Sequence, residues 1–81
     1  MFTSINERIA VIGVYACGVF LPKKMNWNRQ EYRIDEITMK IDSKKSGLLT
    51  RIYSVRSGTQ IFRLEFDRLQ ETWTLLEVWC E

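Results

Sequence analysis

Six side chains in the middle of the chain have the types and spacing to hold a nucleic acid. They are Trp27, Arg29 and Arg33 around one expected hairpin, and Arg51, Arg56 and Arg63 on the strands that follow. Single strands are held by cationic groups on phosphates and aromatic rings under bases, and a sheet face is a natural platform for both. The competing reading is structural: Trp27 and Tyr32 cover the core or a sheet edge, and the arginines are ordinary solvated residues. Twelve Lys and Arg against ten Asp and Glu give a net charge of only +2, short of the footprint of a dedicated nucleic-acid binder. The distribution is more telling. From Lys23 to Arg63 ten basic residues face four acidic ones (Glu31, Asp35, Glu36 and Asp42), whereas from Leu64 onward Arg68 stands against five acids. Cross-strand pairing works against a basic face, because the segment that holds Arg63 also holds Glu65 and Asp67.

Other chemistry is mostly excluded. Histidine is absent, so there is no Ser-His or Cys-His pair and no imidazole ligand. Cys17 and Cys80 lie in apolar surroundings and match no CxxC or zinc spacing. They read as buried free thiols of a reducing compartment, with a disulfide between them left open. Asp35-Glu36 is the only adjacent carboxylate pair; acid–base work or cation binding would need a cleft and a partner of shifted pKa, so a solvated bulge is expected there. Lys44 and Lys45 could touch phosphate, yet a charged hairpin tip serves solubility alone. Gly13, Gly18, Gly47 and Gly58 form no phosphate-cradling loop. No metal or cofactor is expected. Proton transfer is left to carboxylates, lysines, tyrosines and hydroxyls, and the expected role is non-enzymatic.

These residues must be positioned by a single domain, residues 1–81, near the lower size limit at which a core suffices without staples. Such a domain has little room for an enclosed pocket, so no small-molecule substrate is expected and binding belongs on an open face. Ile9 to Leu21 is thirteen residues without a charge, shorter than the about 20 needed to span a bilayer. Val14-Tyr15-Ala16-Cys17 has the look of a lipoprotein cleavage site, but Glu7 beside Arg8 leaves the leading segment without the positive charge of a signal peptide. The alternative is a strand from about Arg8 to Ala16, a bend at Gly18 and a second strand entering through Val19 to Leu21. Ile9, Val11 and Tyr15 fall on one face, and Ala10, Ile12 and Val14 on the other. A strand apolar on both faces is central or covered. In so small a domain the cover would be a second copy, with Ile9, Val11, Ile12 and Val14 in a homodimer interface.

The rest of the chain reads as strands closed by short turns. Asn28-Arg29 suits a tight hairpin. Tyr32 to Ile41 changes apolar phase at Asp35-Glu36, from Tyr32 and Ile34 to Ile37, Met39 and Ile41, as a β-bulge would make it. Ser43 to Gly47 is a polar turn, Leu49 to Arg56 a strand, Ser57-Gly58-Thr59 a hairpin, and Gln60 to Asp67 an alternating strand with Phe62, Leu64 and Phe66 on one side. Arg68 to Glu71 turns again, and Thr72 to Cys80 is the last strand. With no sustained helical repeat, the expectation is an all-β antiparallel meander of five to six strands, curled into a barrel-like sheet.

Pro22-x-x-Met25-x-Trp27-x-x-x-x-Tyr32-x-Ile34, then Tyr53-x-Val55-x-x-Gly58, Leu64 and Trp73-x-Leu75-x-x-Val78, resembles a family of small bacterial proteins of unassigned function. Its members look like Pro-x-x-Phe-x-Trp-x-Gly-Arg-x-Tyr-x-Val in the first block and end in a Trp-x-Leu strand. Some are appended to Y-family-polymerase-like proteins of mutagenic DNA repair. The likeness spans about Pro22 to Val78; it departs at Met25, where the family has Phe, and at Asn28-Arg29, where the family has a basic residue and Gly. The resemblance implies the sheet and a cytoplasmic bacterial origin, and it transfers no catalytic residue. The expectation is a β domain that binds DNA or a DNA-repair protein through a sheet face. The alternative is a homo-oligomeric interaction module that binds no nucleic acid.

Overall fold

Tight turns at glycine and asparagine divide the chain into strands. The computed structural model describes residues 1–45 and 47–80. They form β1 (Phe2–Ala16), β2 (Val19–Trp27), β3 (Gln30–Arg33), β4 (Glu36–Lys45), β5 (Leu48–Ser57), β6 (Gln60–Asp67) and β7 (Thr72–Trp79), with no helix among the described residues. Among these residues no helix is long and apolar enough to cross a membrane. The seven strands make one antiparallel sheet in the order β3-β2-β1-β7-β6-β5-β4, curled into a half-barrel.

That order corrects the expected single meander of five to six strands. The chain starts at the centre of the sheet, runs outward to β3, crosses to the opposite edge at β4 and returns to β7 beside β1. Ile34 and Asp35 make the crossing. The Ile34 amide donates to the Lys23 carbonyl on β2 and the Asp35 amide to the Arg56 carbonyl on β5, each at 2.8 Å. One short link can reach both partners because the sheet twist brings its two edges together.

The crossing also explains the seventh strand. Tyr32 to Ile41, expected as one bulged strand, is two strands broken at Ile34-Asp35, and the bulge lies one turn of the pattern later, between Ile37 and Met39. Thr38 is the inserted residue, and its hydroxyl donates to the Ser54 carbonyl at 3.0 Å. Ile37 consequently packs on the core opposite Val55, while Met39 and Ile41 pair with Ser54 and Ile52 on the other face. The first strand begins at Phe2 rather than Arg8. A second bulge, between Ser4 and Glu7 with Asn6 at φ 55°, hides its alternation from the sequence. Ser46, within the expected Ser43–Gly47 turn, lies outside the described residues.

The hairpins show why the turn residues are what they are. Cys17-Gly18 and Asn28-Arg29 each place two successive residues at positive φ (54° and 78°; 54° and 63°), the two-residue geometry whose twist matches that of the flanking strands. Gly58 at φ 60° opens the turn between β5 and β6. In the β6–β7 turn, Asp67 Oδ1 accepts hydrogen bonds from the amides of Leu69 and Gln70.

Cross-strand partners share a face, so the register sorts every side chain. Tyr53, Val55, Phe62, Leu64, Trp73, Leu75 and Val78 line the concave face, and Met25 and Ile34 close over them from β2 and the crossing. Tyr53, Phe62, Met25, Leu64, Leu75 and Val55 are fully buried. Each such large apolar side chain contributes roughly 1.5–3 kcal/mol. Trp27 and Tyr32 rest on Phe62, at ring-centroid separations of 6.3 and 5.1 Å.

Candidate functional site

The two halves of β1 have different neighbours. Phe2 to Ile9 pairs with β7, whereas Ala10 to Ala16 pairs with β2 alone and runs beyond the end of β7. No strand among the described residues pairs with the other edge of Ala10–Ala16. The β1–β2 hairpin thus projects from the sheet with one open edge.

Its two faces diverge in exactly the way strand parity demands, and the four expected interface residues divide between them. Ile9 and Val11 point inward and pack against the core. Ile12 and Val14 point outward and are 53% and 49% exposed. Register extends the outer patch to β2, where Leu21 lies opposite Val14 and Val19, 40% exposed, lies opposite Ala16. Val19 and Leu21 were legible once the hairpin register was fixed by the Cys17-Gly18 turn. The hairpin is held closely: Gly13 sits opposite Pro22 at a bulge, and a Cβ there would meet the Leu21 carbonyl oxygen at 2.2 Å and Phe20 Cζ at 2.6 Å.

The six residues proposed for nucleic acid are not brought together. Trp27 is half-buried on the concave side, and its Nε1 is buried with no partner among the described residues. Arg29 and Arg33 are exposed on the β2–β3 hairpin. Arg51 lies on the concave face beside Asp42, donating from Nε to Oδ1 at 2.5 Å and from Nη2 to Oδ2 at 3.3 Å. Arg56 is 4.0 Å from Asp35. Arg63 occupies the convex face, paired with Glu77 and 5.0 Å from the centre of the Phe2 ring. Three of the five arginines therefore stand beside a carboxylate. Lys23, Arg29 and Arg33 make no ion pair among the described residues, and Lys23, Lys24 and Arg33 line a recess of about 610 Å³ with Glu31 and Asp35.

Asp42 and Arg51 form a charged pair joined by two hydrogen bonds. The hydrogen bond from Arg51 lowers the Asp42 pKa from its usual 3.8, with smaller contributions from the charges of Arg51, Arg68 and Lys40 against a desolvation cost. The same bond, then the neighbouring Tyr53 hydroxyl, raises that of Arg51. Asp35 is engaged differently, accepting from the Gly58 amide at 2.8 Å and so pinning the β3–β4 crossing to the β5–β6 turn. No group of three or more Cys, Asp or Glu side chains suited to a metal ion occurs among the described residues.

Both cysteines are free and exposed, which corrects the expectation of buried thiols. Cys17 occupies a left-handed position at the hairpin tip, and Cys80 follows β7, its sulfur 3.2 Å from Gln60 Nε2. The apolar neighbours in sequence belong to strands, but the cysteines themselves sit where strands end.

A cleft was not foreseen. About 340 Å³ in volume, it opens between the β1–β2 hairpin and the ends of β5 to β7, lined by Val11, Tyr15, Phe20, Phe66 and Trp73 with Arg51, Tyr53 and Glu71. Its signal in the sequence is parity: Tyr15, Phe20, Tyr53, Phe66 and Trp73 all fall on inward positions, and Arg51 shares the parity of Tyr53. No family model, no curated protein and no solved structure matches the chain.

Proposed function

We propose that this protein is a non-enzymatic assembly module whose β1–β2 hairpin docks on a second copy of the chain. The outward row of Ile12, Val14, Val19 and Leu21 beside the open edge of Ala10–Ala16 carries this reading. An exposed apolar edge strand is a template for strand addition, and native proteins ordinarily blunt such edges with charge or proline. Along the chain the nearest charged residues are Arg8 and Lys23, and across the hairpin Lys24 stands opposite Ile12 at one end of the row. Antiparallel pairing of two such edges about a two-fold axis meets no like charge and covers the same patch on both copies.

Replacing Ile12 or Val14 by Lys tests the reading. Both side chains are about half exposed, so the variants fold, and sedimentation is expected to show them as monomers at concentrations where the parent chain is a dimer. Soluble variants with the parent's mass would overturn the interface.

A second reading keeps nucleic acid or a DNA-repair protein as partner, favoured by Lys23 and Arg33, which line the 610 Å³ recess, and by exposed Arg29 on the adjoining hairpin, none of which makes an ion pair among the described residues. It predicts that Arg29→Glu and Arg33→Glu lower affinity for labelled oligonucleotides and flatten its salt dependence. Affinity and salt slope unchanged in both variants would remove this surface.

A further inference from the structure

We propose that the cleft at the open end of the half-barrel binds a neutral planar heteroaromatic ring of the nucleobase type. The cleft lies on the concave side of the hairpin and the outward apolar row on its convex side; Val11 and Tyr15 of the cleft stand on the strand whose edge the assembly reading pairs, and the titration below reads the cleft rings rather than the oligomer.

Size and walls narrow the ligand class first. A volume of about 340 Å³ is near the lower end of the roughly 300–1,000 Å³ of small-molecule sites, which suits one ring system. Tyr15 meets Phe20, with centroids 5.2 Å apart. Phe20 in turn meets Trp73 at 5.9 Å, and Trp73 meets Phe66 at 4.8 Å and Tyr53 at 5.3 Å, so the rings make one continuous aromatic floor. Such a floor binds flat π-systems by stacking, whatever their substituents. Tyr15 is 77% exposed. An aromatic ring left this open at a cleft mouth contributes little to the core and is free to cover a ligand.

The charge balance narrows it further. Asp42 accepts from Arg51 Nε and Nη2 and also stands 3.8 Å from Arg68, and Glu71 adds a second carboxylate at the cleft, so the charges there balance. Tyr53 is fully buried with its hydroxyl beside Arg51, which leaves the remaining guanidinium hydrogens of Arg51 as the donors toward the cleft. A guanidinium already matched to a carboxylate has little net attraction for an anion, but it remains a fixed donor for a carbonyl or ring nitrogen. Glu71, across the cleft, accepts and cannot donate. A ligand that fits both offers an acceptor at one edge, a donor at another, and an uncharged aromatic body between them. Nucleobases have that pattern, either as free nucleosides or as unstacked bases of a single strand.

Titration of the full chain with adenosine, guanosine, cytidine and uridine, and separately with a short single-stranded oligonucleotide, distinguishes the two sources. The readout is the NMR shifts of the Tyr15, Phe20, Phe66 and Trp73 ring protons. Saturable shifts of these rings with at least one nucleoside support the site; larger affinity for the oligonucleotide identifies a base within a strand as its occupant, and equal affinity identifies the free nucleoside. Tyr15→Ser and Glu71→Gln change exposed side chains and leave the core intact. Each is expected to weaken binding by roughly fivefold or more. The absence of shifts in these rings with every nucleoside and with the oligonucleotide, or parent-like affinity in both variants, would overturn the proposal.

Discussion

At the scale of single residues, charge compensation decides what the basic middle of the chain can do. Arg51, Arg56 and Arg63 read as three free cations in a linear sequence, but register delivers Asp42, Asp35 and Glu77 to them. Exposed pairs of this kind contribute little to stability and remove much of the field that would attract phosphate. Which carboxylate meets which arginine depends on strand order, and strand order was not legible. The Asp42–Arg51 pair gives a prediction with a definite sign. The folded-state pKa of Asp42 lies below its unfolded value, so its contribution is present above about pH 4 and disappears as pH falls through the lowered folded value. Acid titrations of thermal stability are therefore expected to show a smaller loss below about pH 4 for Asp42→Asn than for the parent chain. Identical acid limbs would show that the pair carries no pH-dependent stability.

At the scale of the strands, the hairpins were legible where turn chemistry is local and illegible where bulges intervene. Asn28 and Gly58 mark their turns because glycine and amide side chains take positive φ cheaply, and Arg29 follows Asn28 into the same region at φ 63°. The clean alternation of Phe62, Leu64 and Phe66 against Arg63 and Glu65 was equally plain, and it sets the inner and outer faces of β6. The bulge at Asn6 breaks the period of two and hides the start of β1, and over Tyr32 to Ile41 a crossing and a bulge together mimic a single phase switch. Gly13 tests how rigidly the β1–β2 hairpin is held. A methyl group there would press on the backbone of Leu21 as well as on the Phe20 ring, so Gly13→Ala is expected to cost about 1–3 kcal/mol in denaturant unfolding and to disturb the hairpin amide resonances. Unfolding within about 0.5 kcal/mol of the parent would mean that the hairpin yields to the added atom.

At the scale of the whole molecule, the sheet fills its concave side with its own aromatics and leaves one projecting hairpin without cover. The two-sided apolarity of Ile9 to Val14 was visible from the sequence, and half of it has an internal explanation: Ile9 and Val11 serve this chain's core. Ile12 and Val14 have no such role, and they hold the case for a second copy. Parity marks the inward rings of the cleft but not the cleft itself, because its lining comes from β1, β2, β5, β6 and β7 together, with residues as far apart in the chain as Val11 and Trp73 that only the curled sheet brings into one place. The central claim is that the open edge of Ala10–Ala16 is covered by its counterpart in a second chain. Backbone amide exchange of these residues, measured at high and low protein concentration, tests it most directly. The account predicts slow exchange in the concentrated sample that becomes fast on dilution, confined to this edge and abolished by Val14→Lys; exchange that is fast and independent of concentration would contradict it.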